Sequence, residues 1–283
     1  KGFYAAWQSA SQQVAIVLAA LLGFAVSEWF TSQQIDTWAW RVPFFVGCAI
    51  IPLIFIMREH MEESEAFEEH AKKTRPTMGQ IVKSMFANWK VVLCGGMVIA
   101  MTTTTFYLIT VYTPTFANKV LHLSKTDSLI VTAIVGISNF FWLPVGGALS
   151  DRIGRKGIMV AITGLTIVTA YPALHWLSAA PDFTRLLLVL LLFSFYFGMY
   201  NGAAIVALAE VIPMSVRVVG FSMAYSLATA VFGGFTPAIS TYLIKATGDV
   251  AAPGYWLSIA AACGLVATLL LYRKRDADAV MRR

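Results

Sequence analysis

Polar side chains recur inside long apolar runs of this sequence, and they are the groups through which it could do chemistry. In the first run Ser9, Gln12 and Gln13 stand at i, i+3 and i+4, which puts them on one face of a helix. Farther along, Thr102 to Thr105 precede Tyr107, Ser138 adjoins Asn139, and one run holds Tyr196, Tyr200 and Asn201. Another carries Ser222, Tyr225, Ser226 and Thr229 at i, i+3, i+4 and i+7. Such stripes need a polar surface to face, either a neighbouring helix or a cavity that holds a polar solute. Serine and threonine have a local outlet in the carbonyl four residues back. Amides and phenols are costlier to bury without a partner. The candidate ligand contacts are therefore Ser9, Gln12, Tyr107, Asn139, Tyr196, Tyr200, Asn201 and Tyr225.

A second feature is Gly147-x-x-x-Asp151-Arg152-x-Gly154-Arg155-Lys156, in a short turn between two apolar runs. Gly154 suits the tight turn, Gly146 and Gly147 suit a close helix crossing, and Asp151 suits a helix N-terminus and an arginine partner. The expected role is a charged latch between bundles. Catalysis is not indicated. No Ser-His-Asp, metal-ligand or nucleotide-binding pattern appears; His60 and His70 sit in a charged loop and read as surface residues, and His122 and His175 lack adjacent partners. Cys48, Cys94 and Cys263 lie far apart in apolar runs and read as packing residues. No catalytic residue, metal or cofactor is expected.

The elements that position these groups follow from composition. Of 283 residues, 58% are hydrophobic and 13% charged, with a mean hydropathy of +0.70, against about 45–50% and about 25% in a soluble domain. A water-soluble or disordered chain is excluded. Eight stretches approach the ~20 residues a helical span needs: 3–26, 41–57, 91–116, 128–149, 157–179, 184–209, 218–245 and 252–272. A β-barrel is excluded, because Leu186 to Phe197 is apolar at both parities. The fold class is all-α, a polytopic membrane protein. Sixteen of the 21 Lys and Arg fall in the connections on one side, including Lys1, the 58–90 segment, the Arg152 turn, Arg217 and the residues from Arg273. Only Arg41, Lys119, Lys125, Arg185 and Lys245 fall on the other. Cationic connections stay in the cytoplasm, so both chain ends are placed there and the net charge of +6 reflects topology rather than nucleic-acid binding. Trp29, Trp38, Trp40, His175, Trp176 and Tyr255 mark the opposite headgroup level.

An internal repeat bears on the whole chain. Gly2-Phe3-Tyr4-Ala5-Ala6-Trp7 and Gly220-Phe221-Ser222-Met223-Ala224-Tyr225 share Gly-Phe, Ala and an aromatic at the same spacing. Parallel six-helix repeats build some secondary transporters, so the first span corresponds to the seventh, and the chain is expected to be part of a twelve-helix protein. A native eight-helix protein is the competing reading. The Gly147 to Lys156 turn resembles the signature of the major facilitator superfamily in its second-half copy, and Glu210-Val211-Ile212-Pro213 through Arg217 to Gly220 is similar to that superfamily's loop between helices 10 and 11. Gly2 to Gln13, Trp40-Arg41-Val42-Pro43-Phe44, Met61 to Phe67, Asn139 to Gly147 and Asn201-Gly202-Ala203 resemble the metabolite-proton symporter family within it, over essentially the entire chain.

This resemblance implies spans 5 to 12 of a proton-coupled symporter. Residues 1–57 would close the N-terminal bundle, 58–88 form a cytoplasmic central loop, 89–272 a six-helix C-terminal bundle, and 273–283 a cytoplasmic tail. It implies import of a small organic acid, a tricarboxylate such as citrate or tricarballylate, together with protons, by a monomer in contact with membrane lipid in the bacterial inner membrane. Asp151 would face the start of the first span near Lys1 and Gly2, a gating role. Other carboxylates, a betaine-like solute, or a non-transporting sensor on the same fold stay open. No Lys, Arg, Asp or Glu lies near the middle of a span, so the cations and the titratable group that such transport needs are expected in the absent first four helices. Gly233-Gly234 before Thr236-Pro237 reads as a helix break.

Overall fold

The computed structural model describes residues 2–59, 79, 89–211 and 217–280. Among them are eight helices long and apolar enough to cross a membrane: α1 (Gly2–Trp29), α2 (Ala39–Glu59), α3 (Val92–Val120), α4 (Lys125–Ile153), α5 (Arg155–Ala179), α6 (Phe183–Glu210), α7 (Gly220–Thr247) and α8 (Pro253–Tyr272). Each corresponds to one of the expected apolar runs, and no strand occurs among the described residues. The Met61 to Phe67 motif, His60 and His70 lie outside them. Beyond Tyr272 the helix of α8 continues to Val280.

α6 is apolar all round because it is central. Leu186, Val189, Leu190, Phe193 and Phe197 are buried on it, with α4, α5 and α3 packed around it, α8 against α5 and α3, and α7 against α3. α1 lies along α4 and also meets α6. α2 makes only slight contact with α1 and exposes its apolar side chains along its length, a surface that hydrocarbon tolerates and water does not. Cys48 is exposed on α2, while Cys94 and Cys263 are half-buried. Exposed Trp40 and Trp176 at span ends carry the guanidinium groups of Arg41 and Arg185 over their rings, at 4.3 and 4.7 Å, the amphipathic pairing suited to a headgroup layer.

Glycines set the closest crossings. A Cβ on Gly147 of α4 would stand 2.5 Å from the Gly2 carbonyl oxygen of α1, and one on Gly146 would stand 2.5 Å from the Gly198 carbonyl oxygen of α6. From the other side, a Cβ on Gly202 would meet the Gly147 nitrogen at 2.5 Å. Three helices therefore meet backbone to backbone, as small residues permit in membranes. α4 and α5 are joined by Gly154 alone, at φ 90° and ψ 140°, a conformation that side-chain-bearing residues avoid. Two spans carry widened π-helical turns, Tyr107–Tyr112 and Phe116–Val120 in α3 and Thr229–Gly234 in α7. Pro114 and Pro237 follow the Tyr107 and Thr229 turns. Each proline lacks an N–H and crowds the carbonyl four residues back. The Gly233 region is thus a widened turn followed by a single non-helical residue, Phe235, rather than an open break.

Gly147→Val should lower the melting temperature of the purified full-length protein in detergent, since overpacking costs about 1–3 kcal/mol. Gly157→Val, where a Cβ meets open space, is the control. Equal melting of the two would mean that the α1–α4 crossing is not tight.

Candidate functional site

A cavity of about 180 Å³ opens where α1, α3, α6 and α7 meet. α1 contributes Ser9, Gln12 and Gln13, its polar stripe. α3 contributes Thr102, Thr103, Phe106 and Tyr107, α6 Phe197 and Asn201, and α7 Tyr225 and Thr229. Gly233 permits this meeting, since a Cβ there would lie 2.8 Å from the Tyr107 ring. Tyr107 and Thr229 each begin a π turn, and such turns interrupt the regular ladder at functional sites. The Phe106 and Phe197 rings pack with centroids 5.7 Å apart as an apolar part of the wall.

Most threonines in these spans are satisfied by their own helix, as Thr105 donates to Met101 at 2.7 Å and Thr110, Thr132 and Thr163 do likewise. The cavity differs. Thr102 Oγ1, Thr229 Oγ1 and Asn201 Oδ1 are buried without a hydrogen-bond partner, and all three residues line it. Thr104 Oγ1 and Ser240 Oγ are also unpartnered but lie elsewhere. Buried polar atoms left unmet cost about 1–3 kcal/mol each, and three of them cluster on residues around this one space.

Five of the eight expected contacts thus come together: Ser9, Gln12, Tyr107, Asn201 and Tyr225. The other three hold helices to one another. Tyr200 is fully buried and donates to the Val98 carbonyl at 2.9 Å. Tyr196 pairs with Thr169 of α5 at 3.0 Å. Asn139 donates from Nδ2 to Gln13 Oε1 at 3.1 Å and accepts from Ser194 Oγ at 2.7 Å, joining α1, α4 and α6. Gln13 in turn donates to the Ser9 carbonyl at 3.3 Å. The sequence list of contacts omits Gln13, Thr102, Thr103, Thr229, Phe106 and Phe197. Gln13 and Thr229 were marked by their stripes, whereas nothing in sequence distinguishes a cavity-lining phenylalanine from a packed one.

The charged turn forms a second site. Asp151, at the end of α4, accepts from the Gly2 amide at 3.0 Å and from the Phe3 amide at 3.2 Å, so its carboxylate sits on the first turn of α1. Negative charge is favoured there by the helix dipole. Arg155 reaches Asp151 at 3.5 Å and pairs with Glu210 of α6. One guanidinium therefore ties the ends of α4, α5 and α6. Arg152 is exposed beside it, and the side chain of Arg217 lies outside the described residues.

Amphipathic spans around a polar cavity, with a glycine-crossed, charge-latched turn at one end, define a carrier-type membrane fold, and the chain belongs to the Major Facilitator Superfamily, which residues 1–234 match. More particularly, it is 58% identical over 272 residues to a citrate-proton symporter of Salmonella typhi, covering 96% of this chain and 62% of that protein. It is 59% identical over 274 residues to a citrate-proton symporter of Klebsiella pneumoniae, covering 97% and 61%. A glycine betaine/proline/ectoine/pipecolic acid transporter of Dickeya dadantii is 26% identical over 282 residues, covering 96% and 56%. The chain spans about three-fifths of the length of the citrate-proton symporters it matches.

Asn139→Leu should destabilise the protein by about 1–3 kcal/mol, because Gln13 Oε1 and the Ser194 hydroxyl lose a buried partner. Thermal unfolding of the full-length protein in detergent reads this out, and an unchanged midpoint would show that the bridge carries no weight.

Proposed function

We propose that this chain is part of a proton-coupled symporter that imports a tricarboxylate such as citrate by alternating access across the bacterial inner membrane. The observation that carries the reading is the cavity between four spans with three buried, unpartnered polar atoms. In hydrocarbon such groups are met by the protein or by what passes through it. The names of the two relatives at 58% and 59% identity support the substrate and the coupling ion.

The gating proposal rests on Asp151. Its cap on α1 contributes about 1 kcal/mol, and a half-exposed ion pair such as Arg155 with Asp151 contributes only about 0–1 kcal/mol. A latch of that strength is reversible on the scale a two-state carrier needs. In this reading the Gly154 face is cytoplasmic, as are both chain ends, and Gly147, Asp151, Arg152, Gly154, Arg155, Glu210 and Arg217 act together. Residues 1–57 and 89–272 belong to two bundles joined through 58–88, residues 273–283 are a tail, and the protein works as a monomer. No cavity-lining residue among the described residues is charged, so the cations that meet the carboxylates and the group that carries the proton are assigned to the part of the longer protein that precedes α1.

Uptake of labelled citrate by cells expressing the full-length protein, with and without a protonophore, tests the reading. Saturable, protonophore-sensitive uptake is expected, and no citrate uptake overturns it. Asp151→Asn should lower uptake about tenfold at matched membrane amounts, on the scale of one charge-assisted hydrogen bond. Equal uptake would remove the latch from the mechanism.

A further inference from the structure

We infer that a groove between α5 and α6 holds one phospholipid, with its phosphate against Arg185, its headgroup amine beside Asp182 and an acyl chain along the groove. The site needs only the membrane fold, and it shares no lining residue with the cavity described above. Two helical stripes build it. On α5, Thr169, Pro172, Ala173 and Trp176 stand at i, i+3, i+4 and i+7. On α6, Leu188, Val189 and Leu192 face them, and Arg185 continues that stripe three residues before Leu188. Each stripe covers roughly 10 Å of helix, and the groove has a volume of about 340 Å³. Val189 is buried, whereas Trp176 and Leu188 are 44% and 52% exposed, so the strip has a floor and upright sides. Pro172 and Ala173 lack the bulk to fill it. The polar side chain in the lining is already satisfied, since Thr169 donates to the Leu165 carbonyl at 2.7 Å and pairs with the Tyr196 phenol at 3.0 Å. A wall without unmet polar groups suits a hydrocarbon chain.

Within a membrane nothing is gained by apolar burial as such, so the charges at the end of the groove select the occupant. The Arg185 guanidinium lies over the Trp176 ring at 4.7 Å and donates from Nη1 to the Trp176 carbonyl at 2.9 Å. Both residues sit at span ends, the level at which headgroups lie. A guanidinium carries five N–H donors. The bond to Trp176 therefore orients the group and leaves donors for phosphate oxygens, which a guanidinium meets with two bonds at once. Asp182 is the charged neighbour. Its Oδ1 accepts from the Arg185 amide at 2.7 Å, capping α6, and its Oδ2 stands 4.0 Å from Arg185 Nε, beyond hydrogen-bond length. That carboxylate repels a headgroup that is only anionic and attracts one that carries an ammonium next to its phosphate.

The test is native mass spectrometry of the full-length protein, released from detergent after incubation with equal amounts of phosphatidylethanolamine and phosphatidylglycerol bearing the same acyl chains. The wild type should retain a phospholipid, with phosphatidylethanolamine favoured about threefold, the scale of an exposed charge pair. Arg185→Ala should lower its occupancy about tenfold, the scale of a hydrogen bond to a charged group. Ala173→Phe, which fills the groove, should lose the lipid. Val168→Phe, at an exposed position of α5 outside the groove, should keep it. Asp182→Asn retains an oxygen to cap α6 and removes the charge, so the lipid should stay and the preference should vanish. Retention unchanged in both Arg185→Ala and Ala173→Phe would mean a fluid lipid annulus only and overturns the inference, as does a wild type that takes the two lipids equally. A dimer that Ala173→Phe abolishes would give the groove to a second copy of the chain and likewise overturns it. If Ala173→Phe does not fold, Arg185→Ala and Asp182→Asn decide.

Discussion

The contact on which the rest depends is the crossing of α4 with α1 and α6 at backbone distance. At Gly2, Gly146, Gly147 and Gly202 a Cβ would stand within 2.7 Å of a backbone atom of the neighbouring helix, and the short separation has consequences at two depths. At the end of α4 it brings Asp151 within 3.0 Å of the Gly2 amide. Farther along, it brings Asn139 within reach of Gln13 on one side and Ser194 on the other. In a membrane there is no hydrophobic drive between helices, so close packing and interhelical hydrogen bonds do the work that core burial does in water. Each bond contributes only about 0.6 kcal/mol by measurement in comparable bundles, and their value here lies in holding α1 in one orientation on α4.

That orientation explains why a cavity exists. With Gln13 bonded to α4, the stripe of α1 is turned so that Ser9 and Gln12 face α3 and α7 instead of lipid. On the opposite wall the π turns of α3 and α7 begin at Tyr107 and Thr229. A widened turn displaces the side chains that follow it, which is how two helices that pack along their length leave a space at one level. Thr229 lines that space with its hydroxyl unpartnered, while Thr236, just past the widening, donates to the Phe232 carbonyl and accepts from the Trp256 indole at 3.0 Å. The same residue type is structural or available according to the turn it occupies.

The latch and the cavity sit at different levels of the same helices. α1, α4 and α6 contribute to the Asp151–Arg155–Glu210 cluster, and α1 and α6 contribute Gln13 and Asn201 to the cavity. A rigid-body movement of α1 against α4 would therefore alter both at once, which is what the proposed latch requires.

The eight spans, their medium and the polar stripes were legible in the sequence, because hydropathy and helical periodicity are sums over neighbouring residues and need no knowledge of the fold. The glycines and Asp151 of the turn were legible for a similar reason, since the tight joint at Gly154 imposes local requirements on residue type. Tertiary structure alone decided which polar residues face a cavity. Asn139, Tyr196, Tyr200 and Asn201 look alike in sequence, as amides and phenols inside apolar runs, yet the first three are bonded to Gln13, Thr169 and Val98 while Asn201 has its oxygen unmet. The partner of a buried polar group lies on another helix, 126 positions away for Asn139 and Gln13. Whether that partner comes within bonding distance is set by how closely the backbones cross, a property that no single stretch of sequence contains.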